Sequence, residues 1–183
     1  TITPFVVDLT GSRVYDGSTA VDASALRIGT LLGSQTLSLS GTGAVANRNV
    51  GSGKLVNASG LTLVDGAGAN AGLASNYTLV GGNQVVDVTP ASLVITASNA
   101  VKTYDGTTSV AGAVQAPQAI VQASSGTQLF GADSLNGGTF AFADANVSRD
   151  AGNNIVSNKV VTVSSVTVND GNNGANYTVT YAD

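Results

Sequence analysis

Apolar and polar residues alternate along several short stretches of the chain, and Gly, Asn, Asp or Ser bounds each of them. The clearest examples are GTFAFADANV at 138–147 and KVVTVSSVTV at 159–168. SLVITA at 92–97 is a short apolar β-branched run, and NYTVTY at 176–181 is the last strand candidate. A period of two residues indicates half-buried β-strands, whereas no stretch keeps the 3.6-residue period of a helix over three turns. The pattern predicts about six or seven short strands in each half of the chain.

The phase of this alternation changes within KVVTVSSVTV. Val161 and Val163 point to one face of a strand, but the two valines after Ser165 have the wrong spacing for that face. A bulge or bend at Ser164–Ser165 would restore one apolar face. Ser59–Gly60 occupies the matching place in the first half, and we predict the same bend there.

The chain repeats itself once. RVYDGST at 13–19 returns as KTYDGTT at 102–108, TGAVANRNV at 42–50 as TFAFADANV at 139–147, KLVNASGLTLVDG at 54–66 as KVVTVSSVTVNDG at 159–171, and SNYTLV at 75–80 as ANYTVT at 175–180. The order is the same in both halves and the loops differ in length, as expected for two copies of one fold. In each copy Asp-Gly predicts a tight turn of the hairpin type between two strands, because Gly readily adopts a positive φ.

The two copies define two predicted domains, residues 1–88 and 89–183. No Gly/Ser linker separates them, since the chain passes through VVDVTPASLVITA at 85–97. Pro90 fixes its own φ and holds Thr89 in an extended conformation. A short extended junction predicts a stiff or semi-stiff tandem rather than two freely tethered domains.

The predicted fold class is all-β, with two tandem small β modules. The number of short strands in about 90 residues favours an immunoglobulin-like sandwich. The alternative is a mixed sheet of β-grasp type with one short helix, for which residues 110–135 are the candidate segment.

Composition supports strands and excludes several classes of function. All acids are Asp, and Ser, Thr, Asn and Gly fill the polar positions where a helical protein would carry Glu and Lys. The net charge of −4 argues against a nucleic-acid partner. No apolar run approaches the roughly 20 residues of a membrane span, so no membrane insertion is expected. The chain starts without Met, in mid-pattern, and we expect it to be a fragment of a longer protein.

The ordered motifs resemble the YDG/MBG-type repeat modules of large bacterial surface adhesins, which include haemagglutinin-like exoproteins. The resemblance rests on a Tyr-Asp-Gly signature, an Asn-Val motif and a closing Asn-Tyr-Thr, each present in both halves. The second Asn-Val motif, ADANVSRDAGNNIVSNK at 143–159, departs by an insertion. The signature residues, for which we expect a structural role, are Tyr15, Asp16, Gly17, Asn49, Asn76, Tyr77, Tyr104, Asp105, Gly106, Asn146, Asn176 and Tyr177. We expect the Tyr rings to pack on their modules.

The residue types in the chain give little support to a catalytic or metal-binding function. The chain has neither His nor Cys, which removes nucleophile–His machinery and His-ligated zinc, and we expect no enzyme, no cofactor and no metal. The Asp- and Asn-rich loops at 65–76 and 169–177 could supply oxygen ligands to calcium, but turn formation accounts for them equally.

Three kinds of covalent or surface chemistry remain as alternatives. Asn-x-Ser/Thr triplets, possible glycosylation sites, occur at Asn57, Asn76, Asn146 and Asn176. Lys54 and Lys159 hold equivalent places, where an intramolecular Lys–Asn amide or a solvated lysine are the two interpretations. Tyr181 and the polar loops could contact a glycan.

The resemblance implies stalk or spacer modules of a secreted adhesin at the bacterial cell surface, which project a distal binding domain for cell adhesion or biofilm formation. The partners would be neighbouring repeat modules of the same chain. The alternative is that the modules bind a glycan, a host-cell or matrix protein, or each other directly; exposed strand edges make self-association the more plausible form.

Overall fold

Short strands make up most of the ordered structure. The computed structural model describes residues 1–122 and 126–183. Strands account for 46% of the chain and helical turns for 3%, which confirms the all-β prediction. The chain divides into two units, Thr1–Ala91 and Ser92–Asp183. Each unit is described separately below.

The first unit contains nine strands and two single 3₁₀ turns. The strands are β1 (Phe5–Val6), β2 (Leu9–Val14), β3 (Ala20–Asp22), β4 (Leu26–Ile28), β5 (Leu37–Val45), β6 (Gly51–Asn57), β7 (Leu61–Asp65), β8 (Tyr77–Thr78) and β9 (Val85–Thr89), and the turns are Ala23–Ala25 and Ala74–Asn76. The predicted domain boundary between residues 88 and 89 falls inside β9, shortly before the observed division.

The main sheet of the first unit is mixed. Its order is β3-β5-β6-β9-β2-β4, and β7 also pairs with β5. β9 lies between antiparallel β6 and parallel β2. β1 and β8 form a second parallel pair. The beginning and end of this unit therefore lie side by side, and closure of the module depends on contacts between residues about 75 positions apart.

An apolar cluster lies at the centre of the first unit. Its buried members are Leu9, Val21, Leu26, Val45, Val56, Leu61 and Val86. Each comes from a different strand, seven strands in all, and alternate residues of a strand point to the same side. The alternating pattern of the sequence is thus the pattern of burial.

The described residues of the second unit, 92–122 and 126–183, contain five strands in two sheets. They are β10 (Ala91–Ala97), which begins at the division between the units, β11 (Ala119–Val121), β12 (Ser134–Phe142), β13 (Val161–Asn169) and β14 (Tyr177–Tyr181). β10 lies between β11 and β14 in one sheet, and β12 pairs with antiparallel β13 in the other. Leu93 and Ile95 of β10 are completely buried.

The short helix considered for residues 110–135 is not found in the part of that segment that the structure describes, where β11 lies instead. Residues 123–125 of the segment fall outside the described residues. Ala and Gln give this segment a helical composition, but Ile120 and its neighbours pair with β10, so sheet pairing decides its conformation.

The bend predicted at Ser164–Ser165 is present. Ser165 has a φ of 55°, and the pairing of β12 with β13 skips Gly138 and Ser165. At the matching place in the first unit, a turn at Ser59–Gly60 separates β6 from β7, while β5 runs past both strands. Among the described residues, no helix combines the length and the apolar character needed to cross a membrane.

Candidate functional site

The Tyr-Asp-Gly signature forms a turn in the first unit. The backbone N–H of Ser18 donates to Asp16 Oδ1 (2.9 Å), and Gly17 has a φ of 76°. Arg13 contacts both ends of the turn, with its guanidinium 2.6 Å from Asp16 Oδ1 and from the carbonyl oxygen of Ser18. Asp16 is therefore used to build the turn, as an Asx motif does.

The second unit builds the same turn with a lysine. The backbone N–H of Thr107 donates to Asp105 Oδ1 (2.9 Å), Gly106 has a φ of 78°, and Lys102 Nζ lies 2.6 Å from the carboxylate. The hydrogen bond from Lys102, followed by that from the Thr107 N–H, lowers the pKa of Asp105 to about 2. Lys102 also donates to the carbonyl oxygen of Ser109 (2.6 Å).

The strands beside the first turn do not form the expected hairpin. β2 pairs with β4 and β9, whereas β3 pairs with β5. The turn therefore connects two strands from opposite parts of the sheet. Its sequence predicted the turn correctly, but the hairpin pairing was wrong because pairing is decided by distant strands.

The two signature tyrosines have different environments. Tyr15 is 1% exposed, with the Arg48 guanidinium 5.8 Å from its ring centroid, and its N–H donates to the carbonyl oxygen of Thr89. Tyr104 is 64% exposed. The expected packing of the ring is present at Tyr15 and was wrong for Tyr104.

The Asn-Val motif of the first unit surrounds a lysine. Lys54 Nζ donates to the side-chain oxygen of Asn47 (2.8 Å) and to the carbonyl oxygen of Asn49, whose own N–H donates to Asn47 Oδ1 (3.1 Å). Partial burial, and secondly the positive charge of Arg13, lower the pKa of Lys54 below its ordinary value. Lys54 thus organises its own loop.

The second unit replaces this amide by a carboxylate. Lys159 Nζ lies 2.6 Å from Asp144 Oδ2, and the N–H of Asn146 donates to Asp144 Oδ1 (2.8 Å). The hydrogen bond from Lys159, followed by that from Asn146, lowers the pKa of Asp144. Both lysines have close polar partners.

In both units the tyrosine hydroxyl of the closing Asn-Tyr motif is hydrogen-bonded to a turn about 45 residues earlier in the chain. The hydroxyl oxygen of Tyr77 accepts from the N–H of Leu32 (3.3 Å) and its proton is donated to Gln35 Oε1. In the second unit Tyr177 accepts from Phe130 N–H (2.8 Å) and donates to Asp133 Oδ2 (2.7 Å).

These partner residues were missed in the sequence. The signal that could have found them is a further repeat, LLGSQ at 31–35 and LFGAD at 129–133. Its glycines, Gly33 and Gly131, have φ values of 58° and 60°, so both segments make the same turn.

The carboxylate of Asp170 accepts hydrogen bonds from backbone N–H groups of its own loop, residues 169–177. Asp170 Oδ1 accepts from the N–H groups of Asn172 (2.7 Å) and Gly174 (2.8 Å), and Oδ2 accepts from that of Asn176 (2.9 Å). Burial alone would raise the pKa of Asp170, but these N–H donors outweigh it and the pKa lies below its ordinary value. The turn interpretation of the loop fits these contacts.

The four Asn-x-Ser/Thr triplets differ in access. Asn57, Asn76 and Asn146 are exposed, whereas Asn176 is 0% exposed and its side-chain oxygen accepts from Asn172 Nδ2 (3.0 Å). A glycan on Asn176 would require the loop to open.

The second unit contains a cleft of about 530 Å³. Its walls include Tyr104, Lys102, Phe142, Lys159 and Val161. The signature turn and the Asn-Val motif of this unit therefore meet at one cleft. Within residues 1–122 and 126–183, no group of three His, Cys, Asp or Glu side chains is placed to hold a metal ion.

Comparison with known proteins adds one assignment. No curated protein and no solved structure matches the chain. A family model does match the first unit, over β1 to the start of β9 and including the Tyr15–Gly17 turn and the Tyr77 contact. Residues 1–85 form a YDG domain.

Proposed function

We propose that the chain is a pair of stalk or spacer modules of a secreted bacterial surface adhesin, which project a distal binding domain from the cell for adhesion or biofilm formation. The observation that carries the proposal is the YDG domain at residues 1–85, followed by a second copy of its signature in the next unit.

Equivalent local contacts support the interpretation as a tandem repeat. The Asp-Gly turn is closed by the N–H two residues after Asp in both units, at Ser18 and Thr107, by bonds of 2.9 Å. The closing tyrosines Tyr77 and Tyr177 each hold a turn about 45 residues earlier. The two copies thus share internal contacts that build the module rather than an exposed reactive group, which supports a structural role for both.

A mechanical role also fits the strand arrangement of the first unit. Its beginning and end are joined by parallel pairs, Phe5 with Tyr77 and Arg13 with Val88. Pulling on the two ends of such a unit loads several hydrogen bonds together along the strand direction, so they share the force. Neighbouring modules would be the immediate partners, at the bacterial cell surface.

Surface labelling and binding together test the proposal. Antibodies against the purified chain should label intact cells of the bacterium that encodes it, and brief external protease treatment should remove the label. Labelling that appears only after the cells are lysed would contradict a surface location.

Binding assays separate the spacer from the second candidate, direct adhesion, which is favoured by the exposed Tyr104 at the cleft. A spacer predicts no saturable binding of the chain to host cells or to a glycan array. Saturable binding that an unrelated β-rich protein does not compete with would instead assign adhesion to the modules themselves.

A further inference from the structure

The last residue of β9 is bound to the signature turn. Thr89 ends β9, and Pro90 and Ala91 follow it towards the second unit. The backbone N–H of Tyr15 donates to the carbonyl oxygen of Thr89 (2.8 Å), and the Thr89 hydroxyl donates to the carbonyl oxygen of Arg13 (3.3 Å). Pro90 has no N–H and adds no donor to this ladder. A pull on Pro90 therefore reaches these two hydrogen bonds first.

The signature turn fixes the two residues that hold Thr89. Tyr15 is 1% exposed, so its ring is anchored in the interior of the unit. The Arg13 guanidinium is bound to both ends of the turn, at Asp16 Oδ1 and at the carbonyl oxygen of Ser18, over 2.6 Å in each case. The β2 side of the contact is thus held by burial and by the turn, and it resists being drawn along with β9.

Strand β6 holds the same end of β9 from the other side. The pairing of β6 with β9 is interrupted between Gly51 and Lys54. At this bulge the N–H of Gly53 donates to Asp87 Oδ1 (2.7 Å). The next residue, Val88, pairs with Gly51 and is 2% exposed. The end of β9 is therefore bound along both of its edges.

A second set of hydrogen bonds joins the beginning of the unit to the segment before β9. The N–H of Val7 donates to the carbonyl oxygen of Thr78 (2.9 Å), and that of Leu9 donates to the carbonyl oxygen of Asn83 (3.2 Å). Gln84, which is 7% exposed, donates from Nε2 to the carbonyl oxygen of Val7 (3.0 Å). The two segments are thus bound directly to each other.

The direction of the strands decides how these hydrogen bonds respond to force. β2 and β9 are parallel, from Ser12 beside Asp87 to Val14 beside Thr89. The hydrogen bonds of a parallel pair are evenly spaced along the strands. Tension between a point before β2 and a point after β9 therefore strains all of them at once, whereas tension across the strands opens them one after another. The first direction of loading should be resisted for longer, because several bonds must break together.

We propose that the Tyr-Asp-Gly turn and the end of β9 form a load-bearing clamp of the first unit. Tension that enters at Pro90 is borne by the hydrogen bonds of Thr89 to Tyr15 and Arg13, and β2 transmits it to residues 7–9. The signature motif thereby has a mechanical function, which is to hold the strand by which the chain leaves the unit. The use of the clamp in a stalk rests on the proposed function, whereas its strength is a property of the first unit.

Constant-force optical tweezers on the full chain test the direction of loading. The sequence has no Cys, so introduced cysteines are unique attachment points. Ile2→Cys with Ser92→Cys, at two exposed positions, applies force along β2 and β9. Arg27→Cys with Leu55→Cys, at exposed positions of β4 and β6, applies force across β2 and β9, which lie between those strands in the sheet. We expect unfolding to be at least about tenfold slower along the strands, and equal lifetimes would overturn the clamp.

Three variants, each loaded along the strands, separate a clamp from general stability. Thr89→Val removes the hydroxyl donor and should speed unfolding at least about twofold. Gln84→Met, which loses the donor to Val7, should speed it at least about fivefold. Val21→Ala, in the core but outside the clamp, should lower the urea midpoint more than Thr89→Val and yet speed forced unfolding less.

The ranking of the variants decides the outcome. An unchanged forced-unfolding rate in Thr89→Val, or a larger effect of Val21→Ala than of Thr89→Val on that rate, would overturn the clamp. Either result would leave the surface location, which antibody labelling tests, unaffected.

Discussion

The hydroxyl of Tyr177 donates a 2.7 Å hydrogen bond to the carboxylate of Asp133, 44 residues earlier in the chain. Both side chains are buried, and the N–H of Phe130 donates to the same hydroxyl oxygen (2.8 Å). The phenol thus connects β14 to the turn that precedes β12. In the first unit Tyr77 makes the equivalent connection to a neutral, exposed Gln35.

Replacement of the two tyrosines by Phe should therefore have unequal effects. Tyr177→Phe should lower the free energy of unfolding of the second unit by about 2–3 kcal/mol, because a buried carboxylate loses a donor. Tyr77→Phe should cost the first unit about 1 kcal/mol. Urea denaturation of the full chain, with hydrogen exchange to assign each transition to a unit, measures both. Equal losses would show that the charge and burial of Asp133 do not matter.

Local pattern was sufficient to predict the strand around Val161 and its bend, but not the number of strands: six or seven were expected in each half, whereas nine lie in the first unit and five in the described residues of the second. The alternation around Val161 and the bend at Ser165 depend on residues next to each other in sequence, and both are present. The Asp-Gly turns were predictable for the same reason. These features need no knowledge of the partner strands.

Sheet order and burial were not predictable in this way. β2 pairs with β9, about 75 residues away, so the turn at Asp16 does not close a hairpin. Tyr15 and Tyr104 are both followed by Asp-Gly but have opposite exposure, and Tyr15 lies against the end of β9. A repeated motif fixes a local turn, but its environment depends on strands elsewhere.

This difference between the signature tyrosines gives a direct test. Tyr15→Ala should destabilise the first unit by about 3–5 kcal/mol, since it leaves a cavity where a buried ring packed. Tyr104→Ala should change stability by less than about 0.5 kcal/mol, as expected for an exposed side chain. Chemical denaturation of the two variants checks this. A large loss in Tyr104→Ala would mean that its ring is covered in solution.

Substitution of two glycines of the first unit would measure the cost of backbone strain separately from the cost of a steric clash. Gly41 and Gly33 have φ values of 89° and 58°, but a Cβ on Gly41 would meet the carbonyl oxygen of Gly60 at 2.1 Å, whereas a Cβ on Gly33 meets nothing within 4 Å. Gly33→Ala should cost about 1 kcal/mol from strain alone. Gly41→Ala should cost about 3 kcal/mol or more, because β5 and the turn before β7 must move apart. Thermal unfolding of the pair tests this, and equal costs would contradict the close approach.

The lysine contacts are those of hydrogen-bonded and ion-paired ammonium groups, so neither a fully solvated lysine nor an amide cross-link describes them. Lys159 is paired with Asp144 at 2.6 Å, and Lys54 donates to Asn47 in an exposed loop. An amide between lysine and asparagine would need a buried site beside an acid. The intact mass of the purified chain should therefore equal that of the sequence. A mass lower by one ammonia would identify a cross-link, and peptide mapping would then show which lysine carries it.

Acid should weaken the second unit through Asp170. The folded-state pKa of Asp170 is lowered, so its stabilising contribution is complete above the ordinary carboxyl pKa of 3.8 and is lost as the pH falls towards the folded-state value.

Asp170→Asn keeps the size of the side chain but removes the charge and turns one acceptor into a donor that faces N–H groups. We expect the free energy of unfolding of this variant to be lower by about 2–3 kcal/mol at pH 7, and to decrease less between about pH 5 and pH 2 than that of the unmodified chain.

Asp150, whose pKa is also lowered, lies in an exposed loop, so Asp150→Asn should have little effect on the stability at pH 7 or on its pH dependence. Urea denaturation across this pH range distinguishes the two variants, and an Asp170→Asn profile parallel to that of the unmodified chain would show that the loop does not depend on this carboxylate.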